Sequence, residues 1–99
     1  MIQFRGGPDE AGYIGKREFP GGVVKGDFIW NRNLNCWEYG ARIEGVGVPF
    51  CTNHSAETIE EAEAGTLEDM DAMIQKWLAA SEDEIKQAQD SWTRWTESL

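Results

Sequence analysis

VVKGDFIWNRNLNCWEYGARIE, residues 23–44, decides the fold. Its first arm is rich in β-branched and aromatic residues, and its centre, NRNLN, sets three asparagines in five residues. That composition is a loop following a strand. In the second arm Trp37, Tyr39, Ala41 and Ile43 alternate with Cys36, Glu38, Gly40, Arg42 and Glu44. Period two is a strand with one wet face. Trp30 and Trp37, one on each arm, are placed to pair across the hairpin as core.

The same texture extends on both sides. YIGKREF reads as a strand ahead of the Pro20-Gly21-Gly22 turn, and MIQF alternates briefly before it. After Glu44-Gly45 and Gly47, Val46, Val48, Phe50 and Thr52 alternate again. Residues 13–52 therefore read as an antiparallel meander of three or more strands.

From residue 55 the period changes. Ile59, Ala62, Leu67, Met70, Ile74, Trp77 and Leu78 recur at helical spacings, and Gly65 leaves open whether residues 58–80 form one helix or two. Ser55 or Thr58 can cap the start, and Thr58 with Glu61 fits a capping box. Ser81 with Glu84 is a second box and implies a turn after Ala80. Beyond it Ile85, Ala88, Trp92, Trp95 and Leu99 form a heptad-type stripe only two heptads long. A helix that short is marginal alone, so Trp92 and Trp95 are expected to pack it on the sheet, with a partner surface as the alternative. The expected fold class is α+β: a small antiparallel β-sheet followed by two or three C-terminal α-helices packed on one face. The 99 residues make one domain.

WEYGARIEGVGVPFCTNHSAETIEEA resembles the three-stranded-sheet-plus-helix DNA-binding modules of the AP2 and integrase-arm kind, over about a quarter of the chain. The resemblance implies a strand, strand, helix order. Those modules carry basic residues on their strands, whereas here Glu38 and Glu44 stand beside Arg42. DNA binding does not carry over.

Charge separates the halves more sharply than period does. Residues 1–54 hold as many bases as acids, and residues 55–99 set twelve acids against Lys76, Lys86 and Arg94, so the whole net charge of −9 lies in the helical half. Such a surface repels phosphate backbones and favours a basic protein surface. Glu57, Glu60, Glu61, Glu68 and Asp71 are expected opposite the apolar stripe, where rows of carboxylates can imitate a line of phosphates.

Other chemistry finds little footing. RGGPDEAG and EGVGVPF lack the Gly-Lys-Ser/Thr of a phosphate loop and read as turns. Cys36, Cys51 and His54 are one ligand short of a structural zinc site, so no metal or cofactor is expected. The cysteines read as reduced thiols. One histidine and no nucleophile elbow point away from an enzyme. No apolar run approaches a membrane span and MIQFRGGPDE has no leader-like core, so the expectation is a cytoplasmic chain.

The leading expectation is a non-enzymatic inhibitor or regulator whose acidic helical face, with Trp92 and Trp95, competes with nucleic acid for a basic partner surface. Class analogy adds phage-encoded anti-CRISPR and anti-restriction inhibitors. The alternatives are an antitoxin-like homodimer through the terminal helix, and a DNA-binding sheet using Arg5, Lys16, Arg17, Lys25, Arg32 and Arg42.

Overall fold

The computed structural model describes residues 4–6 and 12–99. Most of RGGPDEAG and the start of the MIQF alternation lie outside the described residues. Five strands, β1 (Arg5–Gly6), β2 (Gly12–Phe19), β3 (Gly22–Asn31), β4 (Cys36–Ile43) and β5 (His54–Ala56), form one antiparallel sheet in chain order. Two helices follow, α1 (Ile59–Ala79) and α2 (Glu82–Glu97). The architecture is the α+β arrangement that the two periods imply.

Local chemistry sets the hairpins. Phe19 pairs with Gly22 around Pro20-Gly21, and Gly21 takes φ +122°, which favours glycine. At the next turn the Asn31 side chain accepts from the backbone N–H groups of Asn33 and Leu34, and Asn35 adopts φ +53°. Asparagine serves both roles because its short amide mimics a backbone turn and tolerates the left-handed region. Trp30 and Trp37 sit directly opposite each other with ring centroids 5.6 Å apart, but only Trp37 packs against the core, while Trp30 is 37% exposed, so the pair is not the core pair expected.

Register assigns the faces. Val24, Gly26 and Phe28 lie beside Ile43, Ala41 and Tyr39 on one face, and α1 covers it over β3, β4 and β5. Gly26 sets how close the helix comes. A Cβ there would stand 2.5 Å from Met70 Sδ and 2.6 Å from Thr66 Cγ2. Phe50, Ile43, Met70, Val24 and Thr66 are fully buried between the layers. Thr66 satisfies its hydroxyl by donating to Ala62 O at 2.7 Å. α1 runs unbroken through Gly65, where a side chain would overlap the Tyr39 ring. Thr58 caps it, accepting from Glu61 N at 3.2 Å, and Ser81 with Glu84 forms a reciprocal capping box on α2.

Several local expectations fail. Leu67 and Leu78, read as part of the apolar stripe of α1, are exposed. Residues 46–52 form no strand, only an isolated Arg42–Cys51 bridge. Val46 and Phe50 turn into the core while Val48 is 67% exposed, and one strand face cannot hold that pattern. The missing strand is β5 instead. Nor does α2 pack on the sheet face. It docks on the β4–β5 connection, where Gly47 N donates to Ala88 O at 3.0 Å and Ala88 is buried with Val46. Its apolar stripe then runs off the body. Trp92 is half-buried beneath the Arg42 guanidinium, 5.2 Å from the ring centroid, while Trp95 is 53% and Leu99 84% exposed.

Candidate interaction surfaces

Of the carboxylates chosen for the acid face, Glu60, Glu61, Glu68 and Asp71 lie on α1, and Glu57 precedes its cap Thr58. Glu57, Glu60, Glu61 and Glu68 are exposed and have no ion-pair partner among the described residues. Asp71 is exposed as well, but its Oδ1 accepts from Arg17 Nη1 at 2.8 Å, which ties α1 to β2. Its charge is already answered within the chain. Trp95 offers an open indole, tilted at 37° against Trp92 with ring centroids 5.2 Å apart, and Trp92 itself is anchored in the body.

Asp69 behaves differently from its neighbours. It follows Thr66 by three residues and precedes Met73 by four, so helical spacing turns it toward the sheet. Its Oδ2 accepts from Thr52 Oγ1 at 2.8 Å and lies 2.8 Å from His54 Nδ1. Thr52 Oγ1 in turn accepts from Ala41 N at 3.0 Å. The network joins β4, the start of β5 and α1 through side chains. Sequence reading missed it, although Asp69 sits on the same helical side as buried Thr66 and Met73.

The remaining imagined ligands are kept apart. Cys36 and Cys51 register with Asn31 and Arg42 on the face away from α1, whereas His54 registers with Tyr39 on the face toward it. Among the described residues no three histidines, cysteines or carboxylates are arranged to hold a metal ion. Both thiols are free.

Among the described residues α1 does not cover the opposite face of the sheet, which α2 reaches only where Trp92 meets Arg42, and the basic residues there can be counted by register. Lys16, Lys25 and Arg42 form one row straight across β2, β3 and β4, and Arg5 lies on the same face beside Ile14. Arg17 points to the helix side and Arg32 sits in the β3–β4 turn. Four acids share the open face with these bases: Glu18, Asp27, Glu38 and Glu44. Lys25 Nζ lies 3.2 Å from Glu44 Oε1. Burial pushes the Asp27 carboxyl above its usual range, and nearby Arg42 partly opposes this. Among the described residues the face therefore carries four bases and four acids.

Comparison with family models, with curated proteins and with solved structures finds no match for this chain.

Proposed function

We propose that this protein is a non-enzymatic inhibitor or regulator that docks its acidic helical face on a basic partner surface and there competes with nucleic acid. One observation carries the reading: Glu57, Glu60, Glu61 and Glu68 are exposed on and beside α1, and nothing in the described chain pairs with them. Unpaired like charges in rows repel one another, which a cationic partner would relieve. The balanced open face of the sheet supports the DNA-binding alternative less. Phage-encoded anti-CRISPR or anti-restriction proteins are the functional class that this reading proposes, on the chemistry of competition alone.

Reversal of Glu57, Glu60, Glu61 and Glu68 to Lys tests it. The fold should persist, because each exposed charge contributes only about 0–1 kcal/mol. A partner captured from a bacterial lysate by the wild-type chain at low salt should be lost from the variant, and from the wild type at about 0.5 M salt. Equal capture by the folded variant would refute the acid-face reading.

The second reading, association through the terminal helix, is favoured by the exposure of Trp95 and Leu99. In that case Trp95→Asp abolishes association while the four reversals leave it unchanged.

A further inference from the structure

Among the described residues the open face of the sheet balances in sum but not in arrangement. Lys16, Lys25 and Arg42 are register partners in one straight row, which Cys51 continues through its bridge to Arg42. Ile14, Asp27 and Gly40 form the next row. On the other flank Glu18 pairs with Val23, and Glu44 N donates to Val23 O, so those two acids stand one row further out. Like charges directly opposite each other on neighbouring strands destabilise a sheet. Lysines often guard sheet edges, but Lys25 and Arg42 belong to the interior strands β3 and β4, where there is no edge to guard.

The basic row opens on a cleft of about 490 Å³. Lys16, Lys25 and Arg42 line it together with Ile14, Asp27 and Thr52. A Cβ at Gly40 would overlap Thr52 O, so the segment from Cys51 to Thr52 lies close against β4 and walls the cleft on that side. Thr52 N donates to Ala41 O at 2.8 Å and Thr52 Oγ1 donates to Asp69 Oδ2 at 2.8 Å, which hold the wall in place. The Arg42 guanidinium is positioned over the Trp92 ring. Sites for small ligands span about 300–1,000 Å³, so there is room here for an organic molecule beyond a single ion.

We propose that this cleft binds a small organic phosphate, with the phosphate on Lys16, Lys25 and Arg42 and the organic body over Ile14 toward Asp27. The row spans two strand spacings, about 10 Å. Three bases in that span suit a group with about two negative charges and three acceptor oxygens. A carboxylate brings one charge and two oxygens, which leaves part of the row unanswered. A nucleic-acid backbone fits less well. It must continue beyond the row, and Glu18 and Glu44 on one flank and Asp27 on the other repel its next phosphates. A phosphate monoester ends within the row and relieves its internal repulsion. The site is separate from the acid face, because α1 packs on the other side of β3 and β4.

Backbone amide shifts followed by NMR test this, with inorganic phosphate titrated to about 20 mM against acetate and a short DNA duplex, all at an ionic strength of about 0.15 M. Phosphate should give saturable shifts at Lys16, Lys25, Arg42 and Thr52, and acetate weaker ones. Lys16→Gln should weaken phosphate binding about tenfold, the loss of one charge-assisted hydrogen bond. Glu44→Gln should tighten it, because Glu44 Oε1 lies 3.2 Å from Lys25 Nζ and competes with the ligand. Lys86→Gln, on α2, should leave it unchanged. The absence of saturable shifts would overturn the proposal, as would binding unaltered in folded Lys16→Gln or acetate bound as tightly as phosphate. Tighter binding of the duplex at the same residues, at equal phosphate concentration, would overturn it too and make the face a nucleic-acid surface.

Discussion

Trp92→Ala and Trp95→Ala should have sharply different costs, although the residues are three apart on one helical stripe. Truncating a fully buried tryptophan costs about 3–5 kcal/mol. Trp92 is half-buried and carries the Arg42 guanidinium over its ring. Half the burial cost with about 0.5–1 kcal/mol for the cation–π contact gives about 2–3.5 kcal/mol. Trp95 is 53% exposed and loses chiefly its tilted ring contact with Trp92. That is about 0.5–1 kcal/mol. For a domain of this size each kcal/mol shifts the melting temperature by about 4–8 °C. Trp92→Ala should therefore lower it by about 8–28 °C, and Trp95→Ala by no more than about 8 °C. Thermal melts followed by circular dichroism, with urea midpoints as a check on the slope, measure both. Arg42→Ala should reproduce only the smaller, cation–π part of the Trp92 loss. Equal losses from the two tryptophans, or a larger loss at Trp95, would refute the assignment of Trp92 to the body and Trp95 to the surface.

Gly26→Ala should destabilise by about 1–3 kcal/mol, because its methyl must displace Met70 and Thr66 between the layers; a urea midpoint equal to the wild type would show that α1 does not rest on that glycine. Asp27→Asn should remove a pH dependence. Burial raises the folded carboxyl above 3.8, so the folded chain binds this proton more tightly than the unfolded one. The stabilisation is complete below that value and is lost as pH rises through the folded value, leaving a cost at pH 7. The asparagine variant should melt higher than the wild type at pH 7 and no higher at pH 3; the reverse order in paired melts would contradict the sign.

What the sequence made legible was whatever repeats. The period-two run from Cys36 to Glu44 declared β4, and the helical spacing from Ile59 to Trp77 declared α1. The Asn-rich turn and the Ser81–Glu84 box declared themselves by composition. The failures share a cause. Val46, Val48 and Phe50 alternate in hydropathy, but burial of two of them and exposure of the third depend on the end of β4 and on Ala88 of α2. Gly65 leaves one helix or two open until the Tyr39 ring is seen to need its missing side chain. Asp69 looks like one more solvated acid until Thr52 and His54 arrive from the sheet. Each depends on a residue distant in sequence, which no local period reports. The acid face was legible because exposure is the default fate of a carboxylate.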